Sequence, residues 1–112
     1  MATVLDLLVE QGTTWAYPME LATETGSPID LAGYTAKMHV RKRPDAPLLI
    51  ELATPDRIVI TPGQLELRLD PADTAGLKAS RYVYDLLLLG PDESVTRILE
   101  GIFEIRRTVT HG

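Results

Sequence analysis

Tyr34-Thr35-Ala36-Lys37-Met38-His39-Val40-Arg41-Lys42-Arg43 is the stretch on which the reading of this chain turns. Tyr34, Ala36, Met38 and Val40 alternate with Thr35, Lys37, His39 and Arg41. A period of two sends successive side chains to opposite sides of a pleated strand, so one side is core and the other is wet. Pro44-Asp45-Ala46-Pro47 breaks the pattern, and a new apolar run, Leu48 to Leu52, forms the next strand until Thr54-Pro55-Asp56. Arg57-Ile58-Val59-Ile60 follows, then a turn at Pro62-Gly63. Leu65, Leu67 and Leu69 then alternate with Glu66, Arg68 and Asp70, which is again the signature of a half-buried strand.

The same signal runs upstream. Trp15, Tyr17, Met19 and Leu21 share one parity, and Pro18 between them argues for an edge position or a bulge because proline donates no ladder hydrogen bond. Val4 to Val9 reads as a short opening strand that stops at Gln11-Gly12, and Thr25-Gly26-Ser27-Pro28 reads as a turn. Downstream, Asp70-Pro71-Ala72-Asp73 is the one good helix start: Asp70 fits the N-cap, Pro71 the first helical position, and Asp73 the exposed first-turn amides. Gly76 ends that helix after a single turn. Tyr82 to Leu89 and Val95 to Thr108 form a long hairpin around Gly90-Pro91-Asp92-Glu93-Ser94. The chain therefore reads as all-β: one domain over residues 1–112, an immunoglobulin-like β-sandwich of about seven to eight strands with one short helical turn.

Composition bounds function more than it identifies it. With 112 residues, 45% hydrophobic and 24% charged, the chain is the size and make-up of one soluble globular domain. No apolar run approaches the length of a membrane helix, and no secretory signal is visible at the start. The absence of cysteine excludes disulfides and thiolate chemistry. A net charge of −5, with eight Arg and three Lys, makes nucleic acid a poor partner. Arg41-Lys42-Arg43 and Arg106-Arg107 run against that balance; they read as solvated strand ends or, functionally and above all for the first, as a docking patch for an acidic partner protein.

The inventory for catalysis is thin. His39 falls on the wet side of its strand, His111 is penultimate, and neither has a second His or a carboxylate at metal-ligand spacing. Ser27, Ser80 and Ser94 fall in turns, and no nucleophile elbow, phosphate loop or dinucleotide fingerprint occurs. These residues lead us to expect no enzyme, no cofactor and no metal.

The hairpin carries the one unusual pattern. A tight turn at residues 90–94 places Tyr84, Leu86, Leu88, Leu99, Gly101 and Phe103 on one side and Val83, Leu87, Leu89, Ile98 and Ile102 on the other. A sandwich strand ordinarily keeps one wet side, so a second apolar side is expected to be covered by the chain itself, through a loop or the N-terminal strand, or by a partner. The same register sets Asp85 opposite Glu100, a like-charge pair to be compensated by a nearby Arg such as Arg97 or Arg81, or by a partner's cation.

Ser27-Pro28-Ile29-Asp30-Leu31-Ala32-Gly33-Tyr34-Thr35-Ala36-Lys37-Met38-His39-Val40-Arg41 resembles a stretch found in small structural proteins of tailed phages and prophages. Glu10-Gln11-Gly12-Thr13-Thr14 and the hairpin from Tyr84-Asp85-Leu86 to Val95-Thr96-Arg97-Ile98-Leu99-Glu100-Gly101 extend the likeness over nearly the whole chain. More loosely it is similar to the N-terminal β-sandwich domain of baseplate upper proteins. The resemblance implies a virion protein made in the bacterial host cytoplasm, acting by assembly with other virion proteins and with copies of itself, without nucleic acid, membrane or catalysis. On that reading the chain is a structural or adaptor component of a tail, baseplate or fibre attachment. The alternatives are a capsid decoration (cement) protein and, from another class, a small-ligand or carbohydrate-binding module. Leu87 and Ile102 depart from the pattern, standing where outward polar residues are usual.

The alternation has a direct test. Leu65, Leu67 and Leu69 share an interior with Met38, Val40, Leu86 and Phe103, so Leu67→Ala costs about 2–5 kcal/mol in chemical denaturation, and a loss below about 0.5 kcal/mol overturns the assignment.

Overall fold

The computed structural model describes residues 3–21, 31–61 and 63–109. Its elements in chain order are β1 (Thr3–Val4), β2 (Leu7–Glu10), β3 (Trp15–Glu20), β4 (Thr35–Arg41), β5 (Leu48–Ala53), β6 (Ile58–Thr61), β7 (Gln64–Leu69), α1 (Pro71–Ala75), β8 (Ser80–Leu89) and β9 (Val95–Arg106). The larger sheet runs β1-β9-β8-β4-β5, with β2 also on β9, and the smaller runs β3-β7-β6. The chain changes sheet between β2 and β3, β3 and β4, β5 and β6, and β7 and β8. This is an all-β sandwich with one short helix. The turn expected at residues 25–28 and His111 lie outside the described residues, as does Pro62.

The alternating leucines sit where period two puts them. Leu65 and Leu67 of β7, Met38 and Val40 of β4, Leu86 of β8 and Phe103 of β9 have no exposed surface, and Leu69 keeps 1%. Aromatic edges fill the space beneath β3: Trp15 meets Phe103 edge-on at 5.8 Å, and Tyr84 meets the same ring at 6.4 Å. Among the described residues β3 pairs with β7 alone, so Pro18 occupies an edge.

At the return from the small sheet to the large one, Tyr82 donates from its hydroxyl to the Lys78 carbonyl at 2.7 Å. This tie from the start of β8 to the chain just before it is the tyrosine corner of immunoglobulin-like sandwiches. α1 fills the same corner. Thr74 is fully buried there, its hydroxyl accepting the Gly12 N–H at 2.9 Å. The helix start uses the expected residues, and a hydrogen bond from the Asp70 N–H to the Asp73 carboxylate at 2.9 Å closes it. Arg57 adds an ion pair to Asp73 at 2.6 Å.

β1 and β2 are one strand with a gap. Both pair with β9 in parallel, and Thr3 opposite Leu99 keeps the same offset as Leu7 opposite Phe103. At the gap the backbone groups find other partners: Leu5 N–H donates to Glu100 O at 2.9 Å, and Ile102 N–H donates to the Asp6 carboxylate at 3.0 Å. The Leu5 carbonyl accepts the Tyr84 hydroxyl at 2.5 Å. It also lies over Gly101, where a Cβ would fall inside van der Waals contact of the carbonyl oxygen and 2.9 Å from its carbon.

Two outcomes follow from these contacts. Gly101→Ala drives a methyl group into the Leu5 carbonyl, so it lowers stability by about 1–3 kcal/mol, read by denaturant titration. The Asp73 carboxyl is held below its ordinary value of 3.8, first by the Arg57 hydrogen bond and then by the Asp70 amide. A lowered folded-state pKa gives stability that is complete above the unfolded value and is lost as pH falls through the folded one. Asp73→Asn therefore costs about 1 kcal/mol at neutral pH and makes the fall of Tm below about pH 4 shallower than in the wild type.

Candidate functional site

The outer side of the larger sheet carries the candidate site, and strand register composes it row by row. Glu51 of β5, His39 of β4, Asp85 of β8 and Glu100 of β9 stand side by side across four strands. On one flank lies the row Arg41, Val83, Ile102, and on the other the row Lys37, Leu87, Arg97. A band rich in carboxylates thus runs between two rows that mix cations with aliphatic side chains. The surface is concave, with a cleft of about 630 Å³ over its centre and Val4, 72% exposed, at its rim.

Most charges in the cleft are already engaged. His39 Nε2 lies 2.7 Å from the Glu51 carboxylate, and this hydrogen bond is the main cause that holds the Glu51 carboxyl below its usual range. Arg41 donates to the Ala46 carbonyl at 2.8 Å and reaches His39 Nδ1 at 3.4 Å. Arg97 pairs with Glu100 at 3.3 Å. The like-charge pair is real, Asp85 standing opposite Glu100, and Arg97 compensates only its Glu100 half. Arg81, the other expected cation, turns to Glu104 at 3.4 Å.

Not every residue expected at an interface lies here. Val83, Asp85, Leu87, Glu100, Ile102 and Arg41 line the cleft together. Ile98 does not. The β8–β9 register shifts after Leu86, so Leu87 faces Arg97 instead of Ile98. That bulge puts Arg97 on the cleft and lets Ile98 pack against the core. Leu89 stands one step further along β8, opposite Val95 and outside the cleft. The basic cluster is divided as well. Lys42 bonds Ser80 Oγ at 2.5 Å and sits 5.2 Å over the Tyr82 ring, while Arg43 reaches Asp45 at 3.7 Å. Alternation and these internal ties leave Arg41 alone on the cleft, so the three cations do not form one patch.

The expected cover also differs. The N-terminal strand joins the sheet edge-on beside β9 and does not fold across its outer side. Val83, Leu87 and Ile102 are half-buried by their neighbours, so fewer apolar atoms remain in water than the sequence pattern implied. His39, expected on the wet side of its strand, is central to the row. Its parity on the wet side of β4 was visible; its neighbours Glu51 and Asp85 were not, because they come from strands that only the topology brings together.

Among the described residues no group of three or more His, Asp or Glu side chains is placed to hold a metal ion, and no helix is long and apolar enough to cross a membrane. The chain matches no protein-family model, and no curated protein is similar to it at a significant level.

Proposed function

We propose that this domain is a structural or adaptor module of a tailed-phage particle, of its tail, baseplate or fibre attachment, and that it works by binding through the outer side of its larger sheet. The particle context rests on the sequence resemblance. The binding surface rests on one observation: three half-buried aliphatic residues, Val83, Leu87 and Ile102, surround Asp85, which has no ion-pair partner among the described residues. A concave patch with an apolar centre and charged borders has the anatomy of a protein interface, in which a dry middle supplies affinity and the charges set orientation. Removing Leu or Ile from water is worth roughly 1.5–3 kcal/mol for full burial, and the half already buried here leaves the remainder for a partner. No catalytic step is part of the proposal.

The double variant Leu87→Glu/Ile102→Glu tests it. Both positions are half-buried on the outer side, so the variant keeps the β-sheet circular dichroism of the wild type. A tagged copy expressed in a bacterial culture producing the particles is then absent from purified particles that contain the tagged wild type. Incorporation at wild-type level moves the interface elsewhere.

A further inference from the structure

The charges of the cleft say more about its occupant, given the reading above that the outer side is a binding face. Three carboxylates line it, Asp6, Asp85 and Glu100, against two guanidinium groups, Arg41 and Arg97. Asp6 accepts the Ile102 amide at 3.0 Å, and Arg97 meets one carboxylate oxygen of Glu100 at 3.3 Å. Arg41 is held by the Ala46 carbonyl and His39 Nδ1, and His39 turns its other ring nitrogen to Glu51. Of the three acids, only the Asp85 carboxylate has neither a hydrogen bond nor an ion pair among the described residues. With His39 counted with Glu51, the lining holds one acid more than it holds bases, and Asp85 is the acid left over.

Register surrounds this acid with aliphatic walls and one further carboxylate. Val83 and Leu87 lie before and after it on the same side of β8, Ile102 stands opposite Val83, and Glu100 stands opposite Asp85. Directly paired residues have Cβ atoms about 4.5–5.5 Å apart, so both carboxylates lie within reach of one planar guanidinium. A metal ion has no use for the walls, and among the described residues no third ligand joins the two acids. An arginine side chain uses everything present. Its methylene stem packs on the aliphatic residues, while its fork takes Asp85 and the Glu100 oxygen that Arg97 leaves. Two acids are then matched by two guanidinium groups. Arginine also sheds its hydration more readily than lysine, which favours it in a partly apolar hollow. The shape agrees, since a hollow receives a projecting side chain and a second copy of the same face presents another hollow.

We infer that the partner protein places an arginine side chain in the cleft, its guanidinium on Asp85 and Glu100 and its stem on Val83, Leu87 and Ile102. The probe is n-butylguanidinium, the same head and stem in isolation, titrated into the isotope-labelled chain by NMR at constant ionic strength. The amides of Val83, Asp85, Glu100 and Ile102 are expected to shift saturably. Asp85→Asn, which keeps the size of the side chain and the wild-type amide spectrum elsewhere, raises the dissociation constant at least about fivefold. The ammonium analogue, n-butylammonium, binds at least about threefold more weakly, and n-butyrate, whose carboxylate would seek Arg41, leaves these amides unmoved. The inference is overturned by the absence of saturable shifts, by butyrate moving the same amides as strongly, by butylammonium binding equally well, or by Asp85→Asn binding as the wild type does. Particle incorporation separates it from the reading on which it rests. Asp85→Asn present in particles at the wild-type level, with Leu87→Glu/Ile102→Glu absent, overturns the arginine and leaves the binding face. If the fragment binds as expected and Leu87→Glu/Ile102→Glu still enters particles, the arginine site stands and the particle reading falls.

Discussion

One carbonyl group holds the arrangement of the larger sheet together. Leu5 leaves the regular ladder of the first strand, and its oxygen settles over Gly101, where only a residue without a Cβ leaves room. A backbone oxygen removed from its ladder and turned toward the interior needs a donor. Tyr84, only 4% exposed, supplies one from β8, on the far side of β9, and burial, reinforced by Asp6 and Tyr17, pushes its phenol up to about 12. Asp6 meanwhile takes the Ile102 amide that the gap would leave bare. The interruption thus keeps both Leu5 backbone groups and the Ile102 amide bonded. It ties β9 to the first strand on one side while β9 pairs with β8 on the other.

The consequence for the site is positional. Because the N-terminal strand is fixed at the edge of β9, it widens the outer surface instead of closing it, and it brings Val4 and Asp6 to the rim of the cleft. The phenol at position 84 belongs to the core, yet it helps decide what the opposite side of the same strand can do. Val83 and Asp85, its immediate neighbours, both face the cleft. Core and surface are coupled here through nothing more than the alternation of one strand.

How much of this was legible depended on range. Period-two alternation is local, and it located β4, β7 and the edge strand bearing Pro18 from residues within a few positions of one another. The Asp85–Glu100 pairing was legible too, because a tight turn fixes register near its own ends. The bulge after Leu86 was not. An extra residue costs the pattern nothing at the level of sequence, since Arg97-Ile98-Leu99 reads as well with one isoleucine outward as inward; packing of Ile98 against the core decides it. The gap at Leu5–Asp6 was hidden for a similar reason: its partners Tyr84, Gly101 and Ile102 lie more than 75 residues away. His39 gained its significance in the same way, from strands that arrive at its two sides only after folding.

On the proposed binding role, the apolar residues of the outer side need masking while that side is free. Two of the aliphatic residues in the cleft lie beside long polar ones: Val83 next to Arg41, and Leu87 between Lys37 and Arg97. The methylene stems of such neighbours cover apolar atoms while their heads stay hydrated. The free surface is then mixed in character, without the contiguous patch that invites nonspecific aggregation. On association the same stems can swing aside or pack in the joint, exposing the aliphatic centre only where a complementary surface replaces the water. The charges that mask the patch are thus the charges that select what uncovers it.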